Sequence, residues 1–169
     1  AKFKKGRLMK KDYRPFFLLR LAYLWRQFFV HHFLIPQFDT VGVGLDVWHP
    51  KHIEVFGSSV RLGNHVHLIA NKTQQIQFCC WKHQGIEGKI HIGNFALISP
   101  GVRIQAAKNI VIEDNCMLAS NVYISDADWH GLYNRVDTPG DVKPIHIEKN
   151  CWIGDGAKIG KGIRIGENS

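Results

Sequence analysis

A short segment in the second half of the chain concentrates side chains that can do acid–base chemistry. Residues 126–135 contain the following: Asp126, Asp128, Trp129, His130, Tyr133 and Arg135. His130 is the candidate general base, because imidazole is the side chain that takes and returns protons near neutral pH. Asp128, Asp126 or a backbone carbonyl would hold its ring in one tautomer. The alternative is that His130 is simply one exposed histidine among the ten in the chain.

The elements that must position this segment follow a six-residue beat. An aliphatic residue recurs in three frames: Ile92, Ile98, Ile104 and Ile110; Ile112, Leu118 and Ile124; Ile147, Ile153, Ile159 and Ile165. A period of six fits neither a helix, with about 3.6 residues per turn, nor a strand that alternates indefinitely. It is typical of short strands that turn a corner every six residues. The beat therefore predicts a hexapeptide-repeat solenoid, a β-helix, rather than sandwich strands with chance spacing.

Small or β-branched residues stand four places after most of these beats. They are Ala96, Val102, Cys116, Val122, Cys151, Ala157, Ile163 and Ser169. Cys116 and Cys151 are therefore predicted to act as small inward-facing hydrophobes. The adjacent Cys79 and Cys80 lack the spacing of a zinc site. With no secretory signal in the sequence, we expect reduced thiols and a cytoplasmic location, with the inner face of the membrane as a second hypothesis.

The positive charge of the chain belongs to its first 26 residues. They hold nine lysines and arginines and one acid, Asp12, whereas the rest of the chain is neutral. The net charge of +8 is thus a property of the N-terminal region, made of a basic arm at residues 1–14 and the residues that follow it. This weakens the argument for nucleic-acid binding from the high isoelectric point. No groove-reading motif accompanies the arm, so we expect no nucleic-acid partner.

A helix is predicted directly after the basic arm. Pro15 can open it, Phe16–Leu34 is rich in Phe, Leu and Trp, and Pro36 closes it. Arg20 and Arg26 argue against a membrane span, because each charge is costly at the bilayer centre. Two hypotheses remain, and they can coexist. The helix caps the solenoid or packs in an oligomer, or residues 1–36 make peripheral membrane contact through anionic lipid.

The sequence predicts two parts. Residues 1–38 form the basic arm and an amphipathic helix, and residues 39–169 form a β-helix domain with an active-site loop at residues 125–146. Early coils are predicted at residues 53–55, 60–64 and 66–68, whereas residues 71–88 break the beat and are predicted to be a loop or hairpin. Because Ser169 falls in mid-repeat and an open strand edge is a liability, we expect this to be a shortened form of a longer solenoid.

The repeats and two motifs resemble a known family. The motifs are SDADWH at residues 125–130 and NCWIG at residues 150–154. They are similar to the hexapeptide-repeat acyltransferases, above all the maltose, galactoside and polysaccharide O-acetyltransferases. The resemblance is good over residues 90–169 and loose over residues 50–90. It implies an all-β fold, a left-handed parallel β-helix, here with an N-terminal α-helical segment, and assembly as a homotrimer.

The resemblance also implies chemistry and site residues. Acetyl-CoA (or another acyl-CoA) is the donor in that family, it lies in a groove between subunits, and a loop histidine deprotonates the acceptor hydroxyl. His130 falls at the place of that histidine, with Asp128 as its candidate partner. Trp152 matches a tryptophan near the acceptor and the pantetheine arm. The donor groove would also be lined by the next residues on that coil: Asp155, Gly156 and Ala157. No metal is expected.

The loop is expected to bind the acceptor as well. The expected contacts, together with Trp152, are Asp126, Asp128, Trp129 and Tyr133. Aromatic faces and carboxylates suit stacking and hydrogen bonding to a saccharide, so a saccharide hydroxyl is the expected acceptor. A polysaccharide precursor or a lipid-linked saccharide fits if the N-terminal helix touches a membrane.

Two other functions stay open. A zinc enzyme similar to the β-helical carbonic anhydrases would draw on five histidines: His65, His67, His91, His130 and His146. Of these, His65 and His67 would share one strand face. A non-catalytic β-helix scaffold is favoured if Ser169 is the natural end, because later coils complete the donor groove of the family.

Overall fold

The computed structural model describes residues 14–83, 85–131, 133–136 and 140–169. A helical segment comes first, made of α1 at Phe16–Phe29, a π-helical turn at Val30–Leu34 and a 3₁₀ turn at Ile35–Gln37; another 3₁₀ turn lies at Pro50–His52. The strands that follow in the described residues are β1 Thr40–Val41, β2 Asp46–Trp48, β3 Ile53–Phe56, β4 Val60–Leu62, β5 His67–Ile69, β6 Ile76–Cys80, β7 Lys82–His83, β8 Ile86–Glu87, β9 Lys89–Ile92, β10 Leu97–Ile98, β11 Arg103–Ala106, β12 Asn109–Ile112, β13 Met117–Leu118, β14 Tyr123–Ser125, β15 Ile145–Ile147, β16 Trp152–Ile153, β17 Lys158–Ile159 and β18 Arg164–Ile165.

The strands build three parallel sheets that the chain visits in strict rotation. The first face has the order β1-β4-β9-β12-β15-β18, the second β2-β5-β10-β13-β16 and the third β3-β6-β11-β14-β17. Turn one is therefore β1 to β3, turn two β4 to β6, turn three β9 to β11, turn four β12 to β14 and turn five β15 to β17. The predicted parallel β-helix is confirmed, and the early coils at β3, β4 and β5 belong to it.

The beat residues fill the interior of the β-helix. Ile98, Ile104 and Leu118 are fully buried, and even Ile153 and Ile159 near the last turn are only 7% and 8% exposed. Each such side chain contributes about 1.5–3 kcal/mol by leaving water. Successive turns pair in register, for example Ile104 with Ile124 and Ile159 next to it. This stacking of identical layers is what holds the corners, and the loops on them, in place.

The segment that breaks the beat is more ordered than the sequence predicts. Residues 76–80 form β6, whose side chains alternate inward at Ile76, Phe78 and Cys80, so this part of the predicted loop is a core strand. A hairpin does follow, since β7 pairs antiparallel with β8. The hairpin leaves from the edge where the third face passes to the first face.

The helical segment closes the first turn only with its end. Val30, Leu34 and Phe38 are buried in the core, and the Phe38 ring meets Phe78 at 6.0 Å between centroids. By contrast, α1 has no buried residue. Capping therefore involves the last turns of the segment, whereas α1 lies largely in solvent. Among the described residues, no helix combines the length and the apolar character needed to cross a bilayer.

The inward cysteines are packed as predicted. Cys116 and Cys151 are each 1% exposed, and burial raises the pKa of the Cys116 thiol, which keeps it protonated.

Overpacking at this position should therefore be costly. We expect Cys116→Phe to lower the free energy of unfolding by about 1–3 kcal/mol or to prevent folding, because the layer has no room for a ring. The matched control is Met117→Phe on the next residue, which points outward and is 40% exposed. Urea unfolding followed by circular dichroism measures the free energy of unfolding of both variants. An equal loss in the two variants would contradict the packing account.

Candidate functional site

Two excursions of the chain leave the β-helix at the same edge. The hairpin β7–β8 follows β6 on turn two, and a long loop at residues 126–144 follows β14 on turn four. On turn three between them, the same edge is a short corner after β11. Because neighbouring strands lie about 4.8 Å apart, the two excursions stand roughly 10 Å apart along one edge. This edge, called the loop edge below, carries the candidate site.

Asp126 anchors the loop to the corner of turn three. It is fully buried, and its carboxylate accepts backbone N–H groups from Ala107 at 2.6 Å, Lys108 at 2.9 Å and Asn109 at 2.7 Å. Three backbone donors fill most of the acceptor positions of this buried carboxylate, which gives it a structural role. We therefore leave Asp126 out of the acceptor contacts that the sequence predicted for it.

Lys161 ties the two limbs of the loop to turn five. The limbs pair antiparallel, with the Asp128 N–H donating to the Asp141 carbonyl at 2.9 Å and a bridge between Ala127 and Val142. The Lys161 ammonium bonds the Asp128 carboxylate and lies 3.2 Å from that of Asp141. The bond to Asp128 raises the pKa of Lys161, and the bond from Lys161 lowers the pKa of Asp141. Asp128 thus helps to hold the loop against turn five through its ion pair with Lys161.

His130 is oriented by the backbone. Its Nδ1 lies 3.0 Å from the carbonyl oxygen of Arg135. A carbonyl only accepts, so Nδ1 carries the hydrogen and the Nε2 lone pair is left to take a proton. The side chain is exposed, as a base for an external hydroxyl must be. Gly140 lets the limbs approach closely here, since a Cβ at that position would lie 2.8 Å from the His130 carbonyl oxygen.

An aromatic row runs along the loop edge beside this histidine. The ring of Trp129 meets that of Trp81 edge-on at 5.8 Å, and Trp81 meets Phe56 at 4.7 Å. The three rings, called the aromatic row below, come from turns one, two and four. Trp81 and Phe56 are 40% and 52% exposed. Their place at the site was missed in the sequence. Phe56 ends β3 and Trp81 directly follows β6, and only this shared position at the ends of third-face strands could have indicated it.

A groove lies between the base of the loop and the third face. It has a volume of about 640 Å³ and is lined by β14, β17 and the loop, including Tyr123, Ser125, Trp129 and Lys158. The indole N–H of Trp129 is buried and has no hydrogen-bond partner among the described residues. A mainly apolar wall that carries a few polar groups is the kind of surface that holds a polar ligand through few directed bonds.

The residues predicted for the donor side lie on another edge of the β-helix than His130. Trp152 is 70% exposed on β16 of the second face, and Tyr133 is 97% exposed on the loop. The stretch from Asp155 to Ala157 turns the corner between the second and third faces, where Asp155 accepts a long 3.4 Å bond from Asn121 and Gly156 has a φ of +68°. Within one chain, Trp152 and this corner therefore lie near the edge between the second and third faces, and not at the loop edge.

The histidines considered for zinc make other contacts. His146 Nε2 is 2.6 Å from Glu113, His67 is 3.5 Å from Asp46, and His65 stacks on Phe95. In the part of the chain that the structure describes, no group of three or more His, Cys, Asp and Glu side chains could hold a metal ion. No observation here favours the zinc hypothesis.

Comparison with family models gives one match. The model is described as the hexapeptide repeat of succinyl-transferase, and it matches residues 109–126 and 144–169. A comparison with curated proteins and one with solved structures returned no match. The matched residues are turns four and five and the beginning of the next turn, on the two sides of the loop. The match supports the hexapeptide-repeat superfamily for this chain and suggests a transferase of the acyl class.

Proposed function

We propose that this protein is a left-handed β-helix O-acyltransferase that moves an acetyl group from acetyl-CoA to a saccharide hydroxyl, with His130 as the general base. The observation that carries the proposal is the hydrogen bond between His130 Nδ1 and the Arg135 carbonyl. It prepares Nε2 to accept a proton in an exposed loop, on a repeat fold that suggests acyl transfer. Its partner is a backbone carbonyl, and Asp128 acts on the base only by latching the loop.

The reaction follows from that geometry. As the acceptor hydroxyl oxygen bonds to the thioester carbonyl carbon, its proton passes to Nε2 of His130. The tetrahedral intermediate then expels the thiolate of CoA, which takes the proton back from the imidazolium. The Arg135 carbonyl stabilises the imidazolium because it accepts from Nδ1–H throughout. One histidine thus returns to its starting state in each turnover.

The donor site is proposed at the corner of turn five. Trp152 and residues 155–157 lie on a different edge from His130 in one chain, so a donor bound there reaches His130 only across a boundary between subunits. Hexapeptide-repeat transferases commonly form trimers, and we propose a homotrimer whose neighbouring edges complete each site. The large exposed surface of Trp152 agrees with a residue that a ligand or a neighbouring subunit covers.

The acceptor is proposed to stack on the aromatic row. Indole and phenyl faces at the loop edge suit the apolar face of a sugar ring. The Trp129 N–H, which has no partner in the described part of the chain, can donate to a hydroxyl. Lys161 and Asp128 hold the loop against the groove while the sugar binds.

Removing one ring of the row should weaken acceptor binding. We expect Trp81→Ala to raise the KM for a soluble saccharide acceptor about tenfold with a smaller change in kcat, because stacking is lost while the base stays in place. Trp81→Phe should recover most of the loss. Steady-state kinetics check this against Trp25→Ala, which removes an exposed indole from α1, away from the loop edge. Equal KM in wild type and Trp81→Ala would contradict stacking at this ring.

Donor binding tests the proposed function. A ligand that binds only the folded protein raises its stability, by about 2.7 kcal/mol at a hundred times Kd. We expect acetyl-CoA to raise the unfolding temperature, whereas ATP at the same concentration, another anionic adenine nucleotide, should not. A rise with both nucleotides would reveal non-specific binding to the basic arm, and no rise with acetyl-CoA would contradict a donor site in residues 1–169.

A further inference from the structure

Helix α1 has apolar residues on two opposite sides. Leu19 and Phe29 are half-buried toward turn one, as expected of a packed helix. The opposite side repeats at helical spacing and is exposed, with fractions between 46% and 62%. It is called the outer stripe here, and its members are Phe17, Leu21, Leu24, Trp25 and Phe28. A contiguous apolar stripe of this kind on a solvated helix indicates a binding surface.

The charge around the stripe selects among its possible occupants. No carboxylate occurs between Asp12 and Asp39, and nine of the first 26 residues are Lys or Arg. Packing the stripe on the same helix of a second copy would bring like charges together. An anionic surface would instead be attracted to the arm and accept the aromatic side chains of the stripe. Charge complementarity therefore favours anionic lipid over a second copy.

A basic groove between α1 and turn one supplies an independent observation. Its volume is about 610 Å³, its cations are Arg14, Arg26 and Lys51, and no carboxylate is among the described residues that line it. The Nε of Arg26 is buried without a hydrogen-bond partner in the described part of the chain, while its guanidinium lies 5.7 Å from the centre of the Trp48 ring. A guanidinium donor in such a place suits a phosphate oxygen.

We propose that α1 docks this protein on an anionic phospholipid surface. The outer stripe enters the boundary between headgroups and acyl chains, and the basic groove beside it holds the phosphate of one lipid on Arg26. The basic arm adds long-range attraction to the same surface, which weakens as salt screens it. The docking is independent of the acyl-transfer chemistry on the loop edge.

Vesicle flotation of the full chain tests the docking. We expect binding to vesicles of phosphatidylglycerol and phosphatidylcholine in equal amounts, little binding to phosphatidylcholine alone, and loss of binding as salt rises from about 0.1 to about 1 M. The double variant Leu21→Ser/Phe28→Ser should lower the affinity at least about tenfold. Its control is Phe95→Ser, which removes an exposed ring (59%) from the β-helix and should bind like wild type. Arg26→Gln should also weaken binding.

Three results would overturn the proposal. The first is equal binding to both vesicle types. The second is a stripe variant that binds vesicles normally but has a smaller molar mass by light scattering, because the stripe would then join copies of the chain. The third is release of the protein by excess soluble glycerol phosphate, because the groove would then be a site for small phosphates. Retention under glycerol phosphate supports lipid docking. A wild-type circular dichroism spectrum of each variant shows that the fold is intact.

Discussion

Acyl transfer is expected to fall about 10²–10⁴-fold in His130→Ala, with the β-helix still folded. The magnitude is that of a removed general base. The fold should survive because His130 is exposed and its ring hydrogen bond to the Arg135 carbonyl is local to the loop. His130→Gln should be almost as slow, because an amide can keep a hydrogen bond but cannot take the proton. Because the lost step is proton transfer, kcat should fall more than KM rises.

The matched control is His91→Ala. His91 is also exposed, but it lies on β9 of the first face, away from the loop edge. Its removal should leave the rate within a factor of about two, and unfolding temperatures of all three variants should match that of wild type. Activity in His130→Ala close to that of wild type would remove His130 from the mechanism.

The second large effect is expected on stability, at Asp126. Asp126→Ala should lower the free energy of unfolding by about 2–5 kcal/mol, because three backbone N–H groups of the turn-three corner lose their acceptor. Asp126→Asn should not restore the loss, because its amide would point donor hydrogens at donors. Urea unfolding followed by circular dichroism measures both variants.

Asp128→Ala is the control for this prediction. Asp128 stands two residues further on, but it is exposed, and its partner is Lys161. An exposed ion pair contributes little, so the expected change is below about 1 kcal/mol. An Asp126→Ala variant that is as stable as wild type but inactive would contradict the structural role of Asp126. Asp126 would then be a ligand-binding residue, as the sequence alone predicted.

The fold could be predicted from the sequence because each turn of the β-helix repeats the same contacts. Ile98, Ile104 and Ile110 follow one another on three faces, so a period of six appears directly in the chain. The six-residue period did not predict β6, because the extra residues 71–75 before this strand shift the repeat. There Ile76 and Phe78 alternate as in any strand, and the six-residue pattern cannot show that they stack on turn three.

The loop composition predicted a site, whereas the partners inside it could not be predicted. Asp126 bonds N–H groups 17–19 residues earlier, and Lys161 lies 33 residues after Asp128. Almost every residue has a backbone N–H and every residue has a carbonyl, so residue types do not show which of these groups make a contact. The bonds to Asp126 and the bond between His130 and the Arg135 carbonyl could therefore not be predicted. The assignment of His130 as the base therefore stays a prediction. The contacts of Asp126 with backbone N–H groups and of Asp128 with Lys161 are ones that the residue types did not indicate.

The aromatic row shows the same limit. Phe56, Trp81 and Trp129 are far apart in the chain and meet because the three segments that carry them follow strands of the third face at one edge. Only the three-dimensional register of turns one, two and four brings them together. Aromatic residues at equivalent corners of a β-helix are therefore worth comparing even when many residues separate them.

The most direct test is release of free CoA from acetyl-CoA by the full chain in the presence of soluble saccharides, with wild type and His130→Gln compared side by side. We expect saccharide-dependent thiol release in wild type, a matching gain of one acetyl group on the saccharide by mass spectrometry, and a loss of both of about 10²-fold or more in His130→Gln. Acetyl transfer that is unchanged in His130→Gln would contradict the account of this site.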